Sequence, residues 1–544
     1  MAMSASASSR RDFLRHGAAW LTLPLVPEFG PRHRPRTLRG FGDPFRLGVA
    51  SGDPDHRGVV LWTRLAHDVL AADGGLPPTA VEVGWEVGTD EALRQVVARG
   101  TTSALPELGH AVHVECDQLQ PDRWYWYRFR VGDATSPIGR TRTLPAPDAS
   151  PERLRFAFAS CQHWEQGLFT AYEHMATQEL DFVCHLGDYI YEYGGKDGLV
   201  RKHHGGKLLT LADYRVRHAQ YRSDPLLQAM HARCPWWVTW DDHEVENNYA
   251  NATRQAKDGD PQQFLQQRAA AYRAYYEAMP LRRRSLPEGP AMRLHRQASF
   301  GRLCELFVLD TRQYRTDQPN GDGRRPLNAN ARATANTLLG AAQRDWLWRG
   351  LATSPATWNV LAQQVMMGLV GFPPKPKAKA AATGDSAPPS ADAGERLYSM
   401  DQWPGYAHER ATLLRHLADR SVRNPVVLTG DIHANFVNDL RVDDHAEATP
   451  IVATEFVGTS ISSGGNGSDA GAELTALQRS NPGLRHLDRR RGYVTCTVTR
   501  DHWRSDYVTV DQVTAVGGTA RTTASFVVAS GKPGARVCNA FVGL

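Results

Sequence analysis

No stretch of the sequence is apolar for the roughly 20 residues that a membrane-spanning helix needs, so no transmembrane helix is expected. Lysine and arginine are scattered without a long basic run, and the net charge is only +5 over 544 residues. Charge therefore gives no reason to expect a stable nucleic-acid partner. The seven cysteines are odd in number and widely dispersed, which excludes a disulfide scaffold and leaves at least one thiol free or with another task. Internal repeats are lacking. The glycine-rich stretch "GTSISSGGNGSDAG", Gly458 to Gly471, lacks the strand–GK[ST]–helix setting of a nucleotide loop and reads as a flexible loop near a site rim. His203 and His204 read as chance histidines on a loop.

What is present is an ordinary globular composition, 41% apolar and 22% charged, in a chain long enough for two or three domains. The stretch "SSRRDFLRHGAAWLTLPLVP" pairs Arg10 with Arg11, follows them with Phe13 and Leu14, and continues into a short apolar run from Ala18 to Val26. This reads as a twin-arginine export signal, with residues 1–40 as leader, processing near 27–40, the twin-arginine export machinery as partner, and a periplasmic or secreted destination. That route carries folded cargo, which suits a protein that loads a cofactor before export.

Residues 41–148 alternate in hydrophobicity between Gly-, Asp- and Pro-rich turns, the pattern of an N-terminal β-sandwich domain. From 152 to 510 the character changes: short, nearly continuous apolar runs alternate with helix-like stretches, as in an α/β domain with a largely parallel sheet. Residues 373–395 are low in complexity and read as an inserted surface loop, and 511–544 as a C-terminal extension.

Four of the apolar runs end in groups able to bind a metal. "FAFASC" ends at Cys161, "FVCHLGDYIY" at Asp188 and Tyr191, "WWVTWDDHE" at Asp241, Asp242 and His243, and "VVLTGDIH" at Asp431 and His433. In an open α/β sheet the carboxyl ends of the strands share one rim. A thiolate and a phenolate suit ferric iron better than zinc, and extra carboxylates suit a second, hard divalent ion, calcium or manganese. Asp188 is the natural bridge between the two.

The motifs "GDYIYEYG", "WDDHEVENN", "GDIH" and "SCQ", together with "YRVRHAQYRSDP", "NVLAQQVMM" and "DQWPGY", resemble those of the PhoD-type alkaline phosphatases of the metallophosphoesterase superfamily. They are similar in site to purple acid phosphatases, and the likeness runs from about residue 40 to 510. The resemblance implies a layered metallophosphoesterase-like α/β catalytic domain behind the sandwich. It implies Fe3+ held by Cys161, Asp188, Tyr191 and His433. One or two Ca2+ ions would share Asp188 and draw on Asp431 and on Asp242 or Asn247.

The expected activity is hydrolysis of phosphomonoesters and phosphodiesters by metal-activated hydroxide. Phospholipids and nucleic-acid diesters are further candidate substrates. His243 would hold the phosphate or protonate the leaving group, and Arg222 would grip the non-bridging oxygens. Three other readings compete: a phospholipase D acting on lipid head groups, a non-catalytic binding module, and a tyrosinate-iron oxidoreductase.

Overall fold

The computed structural model describes residues 42–374 and 396–538. The export signal and nearly all of the low-complexity segment lie outside the described residues. Two large sheets carry the molecule. In the first, of ten strands, Leu154–Ala159, Phe182–Leu186 and Trp236–Thr239 are parallel neighbours. In the second, of seven, Cys304–Val308, Trp358–Ala362, Pro425–Thr429 and Ala453–Val457 run parallel side by side.

Side chains alternate across a strand, so a continuous apolar run supplies two cores at once. Leu154, Phe156 and Phe158 face a core shared with the second sheet, whereas Ala157 and Ala159 face a core built with helices. On the second sheet Val426 and Leu428 point into the shared core, while Val427 packs under the helices Gly340–Thr353 and Ala407–Asp419. The sheets are thus packed face to face, with helices against both outer surfaces. Full burial of each large apolar side chain in the shared layer contributes roughly 1.5–3 kcal/mol. The helix Leu211–Arg222 begins in a capping box, in which Thr210 and Asp213 satisfy each other's backbone N–H groups.

Strands from both ends of the described residues are woven into this frame. Val49–Gly52 joins the ten-stranded sheet through one parallel pairing, Gly52 with Trp236, and brings Val59–Arg64 and Ala111–Cys116 to that edge. A separate sheet containing Val81–Gly88, Val96–Ala104 and Trp124–Val131 packs over those three strands, with Val83, Tyr127 and Phe129 against Val49, Leu61 and Val114. Residues before 148 therefore share a sheet with residues after it. At the other edge Arg491–Val498, His502–Val510, Ala520–Ala529 and Lys532–Val537 add in antiparallel succession. Much of what reads as a C-terminal extension is therefore part of the main sheet.

Candidate metal centre

The carboxyl ends of the parallel strands of both sheets meet along one seam. Thr239 Oγ1 donates to the Leu309 carbonyl, Gln364 Nε2 donates to Thr239 Oγ1, and the Ile461 N–H donates to the Ser160 carbonyl. At this seam Cys161 (φ 58°), Asp188 (55°), Asp431 (61°) and His433 (53°) all have left-handed backbone. Non-glycine residues hold that conformation only where their surroundings impose it, at about 1–3 kcal/mol each.

Gly187 (φ 105°) shows how tightly the turns are pressed together, since a Cβ there would lie 2.5 Å from the Cβ of Asp241. Glu244 ties the same two turns. Its carboxylate accepts the N–H groups of Asp188 (3.1 Å), Tyr189 (2.6 Å) and Asp241 (2.8 Å).

Two candidate ligand groups result. Cys161, Asp188 and His433 offer donor atoms within 4.8 Å of one another. The Tyr191 hydroxyl joins them, 3.0 Å from Asp188 Oδ2 and 3.2 Å from His433 Nε2. Beside them Asp188, Asp241, Asp242 and Asp431 converge within the same span, as do Asp188, Asp242 and His243. Asp188 belongs to every one of these groups.

The electrostatics of the cluster call for added positive charge. Oδ1 of Asp188, Oδ2 of Asp241 and Oδ1 of Asp242 are buried without a hydrogen-bond partner. Each such orphan costs roughly 1–3 kcal/mol, and more when charged. Burial pushes the Asp188 and Asp241 carboxyls well above the usual carboxylate range and Asp431 to about 6. Burial likewise raises the Cys161 thiol and the Tyr191 phenol.

Only Asp242 stays below its ordinary value; against its burial, Arg312 and His243 hold it ionised. Arg312, itself buried, pairs with Asp241 and Asp401 and lies 3.6 Å from Asp242. Arg312 and the His243 imidazole, which Asp401 and Glu192 also share, cannot balance four carboxylates. The residues fit bound cations: one among thiol, phenol, imidazole and carboxylate, and a hard one among carboxylates alone.

Cys161, Asp188, Tyr191, Asp242, His243, Asp431 and His433, singled out from the sequence, lie together. His243 Nδ1 is 2.7 Å from Glu192 Oε2, and its ring lies 4.2 Å from that of Tyr191. Asn247 is adjacent, with its N–H on Glu192 (3.0 Å) and its side-chain Nδ2 on Gln255.

Arg222 does not reach the centre. Its guanidinium is buried against the Trp62 ring at 4.5 Å and donates to the Leu47 and Val49 carbonyls, so it braces the helix Leu211–Arg222 against the first strand of the sheet.

Two discarded stretches matter instead. The loop after Ala453–Val457 is not loose: Thr459, Ser460, Ser462 and Ser463 are buried, and Ser463 Oγ is 2.7 Å from the Tyr191 hydroxyl. His203 is also buried. Glu165 accepts its N–H and that of Lys196, while His203 Nε2 pairs with the Tyr221 hydroxyl (2.9 Å). His163, Glu165 and His203 form a compact group, and these internal bonds make it a fastening for the loop before the helix.

Sequence reasoning missed Glu192, Glu244, Arg312 and His163. Arg312 follows the strand Cys304–Val308 in "CELFVLDTR", a strand end of the same kind as the four that were noticed.

A rim of buried thiol, phenol, imidazole and carboxylates at the meeting edges of two sheets defines an α/β protein with groups able to hold metal ions. The family profile of PhoD-like phosphatases matches residues 156–507, and that of their N-terminal domain matches 33–145. The chain belongs to the PhoD-like phosphatase family. It is 50% identical over 498 residues to alkaline phosphatase D of Bacillus subtilis, covering 91% of this chain and 82% of that protein. A solved structure of PhoD superposes with a TM-score of 0.86 at 48% identity, covering 92% of this chain and 94% of that one. No described helix is long and apolar enough to cross a membrane.

Proposed function

We propose that the protein is an exported, metal-dependent alkaline phosphatase of metallophosphoesterase-like layered fold that hydrolyses phosphomonoesters and phosphodiesters. The observation that carries this reading is the convergence on Asp188 of two unlike ligand groups with buried, unpartnered oxygens. Cys161, Asp188, Tyr191 and His433 are assigned to Fe3+. Asp188 is also assigned to one or two Ca2+, with Asp431 and either Asp242 or Asn247. When bound, such ions polarise phosphoryl oxygens and activate water.

The chain's own groups do the rest. The Glu192 carboxylate orients the His243 ring through Nδ1. So oriented, and grouped with Asp188 and Asp242, His243 is placed to protonate a leaving alkoxide. Arg312 keeps Asp242 anionic, and Glu244 keeps the two carboxylate turns in register.

The test is elemental analysis of the exported protein alongside a panel of mono-, di- and phospholipid esters. We expect iron and calcium in the purified protein, turnover of both simple ester types, and loss of turnover on calcium chelation. Turnover confined to phospholipid would replace this reading with a phospholipase D. Full activity without either ion would remove the metal assignment.

A further inference from the structure

His163 lies two residues beyond Cys161 and, besides its place in the group with Glu165 and His203, packs against Tyr191. Its ring and that of His243 flank Tyr191, with centroids 4.3 and 4.2 Å from the tyrosine ring. The His163 backbone is pinned on both sides: its N–H donates to Ser463 Oγ (3.2 Å), and its carbonyl accepts from Ser462 Oγ (2.9 Å). Its Nδ1 accepts the Glu165 N–H at 3.2 Å. A nitrogen that accepts carries no hydrogen, so the ring bears its hydrogen on Nε2. Among the described residues Nε2 has no hydrogen-bond partner, and it is not fully enclosed. The little exposure of this residue, 4%, therefore includes Nε2.

The guanidinium groups nearby are committed elsewhere. Arg217 donates to the Tyr191 and Tyr193 carbonyls, and Arg491 to the Ser463 and His433 carbonyls. Arg312 is held by Asp241 and Asp401. With these guanidinium groups committed, the fixed Nε2–H of His163, beside Tyr191, is a donor left for a phosphoryl group at this centre.

We propose that His163 is a substrate-contacting residue whose Nε2–H donates to a non-bridging oxygen of the bound phosphoryl group, across Tyr191 from His243. This rests on the phosphoester reading above.

The test uses metal-loaded enzyme and inorganic phosphate as the probe, with binding measured by calorimetry and turnover measured separately on p-nitrophenyl phosphate. His163→Ala is expected to weaken phosphate binding roughly ten- to hundredfold and to raise KM in step, with metal content and visible absorption unchanged. His163→Asn, whose amide also donates, is expected to recover most of the loss.

Phosphate affinity within twofold of wild type in His163→Ala, with metals retained, would overturn the proposal. Loss of metal or absorption in both variants would also overturn it, because His163 would then be a support for Tyr191. Wild-type protein that binds phosphate but cleaves no ester would sink the hydrolase reading and leave this contact standing. Normal turnover with unaltered phosphate binding in the variants would do the reverse, as would wild-type protein that cleaves esters but binds no phosphate.

Discussion

At the scale of single residues, the centre depends on groups that bind nothing themselves. Glu244 is buried, and burial pushes its carboxyl to about 7, yet it accepts three backbone N–H groups from the turns that carry Asp188 and Asp241. Removing it strands those donors beside a crowd of acids. Glu244→Ala should therefore lower unfolding free energy by roughly 3 kcal/mol and weaken metal retention roughly ten- to hundredfold. Denaturant titration and metal analysis of the dialysed variant check both figures, and unchanged metal retention would show that the ligand turns hold their shape unaided. Cys161→Ser and Tyr191→Phe act directly on two of the proposed ligands. Each should bleach or shift a charge-transfer band of the purified protein, and a spectrum unaltered in both would exclude the thiolate and phenolate as iron ligands.

At the scale of strands and turns, the strand ends that converge at the centre were legible because a run buried on both faces stays apolar until the sheet stops. The polar residue that follows must then leave the sheet. The allocation of strands to two sheets was not legible: "FAFAS" and "VVLTG" are equally apolar, and nothing local says that one joins Phe182–Leu186 and the other Trp358–Ala362. The role of Arg222 was misread for a related reason. A guanidinium on a helix looks the same in sequence whether it faces a ligand or two carbonyls and an indole.

The turns themselves yield a sharper expectation. Gly187→Ala forces a methyl to within 2.5 Å of the Asp241 Cβ at a φ of 105°, so the Asp188 and Asp241 turns must separate. A stability loss of roughly 3 kcal/mol with release of the ions is expected. Gly289→Ala, at a positive φ but with nothing within 4 Å of the added methyl, separates backbone strain from crowding. It should cost about 1 kcal/mol and leave metal content intact.

At the scale of the whole molecule, strands from early and late in the described residues complete the sheet that carries three of the four turns of the candidate centre, so stability and site formation are coupled. Helices on the outer face of that sheet enclose histidines held neutral. His185 and His218 are buried with both ring nitrogens unpartnered, and burial lowers each to about 3. In the unfolded chain the same groups titrate near 6.5. Above that pH neither state binds the proton and these residues are neutral in their effect. As pH falls from about 6.5 towards 3, only the unfolded chain gains protons, so stability drops by about 1 kcal/mol per pH unit for each histidine. Melting temperature should therefore decline below pH 6.5. His218→Leu, remote from any ligand turn in sequence, should flatten the decline by removing one titration. Differential scanning calorimetry from pH 7.5 to 4.5 on the two proteins measures this, and parallel slopes would mean that His218 takes up its proton in the folded state as readily as in the unfolded one.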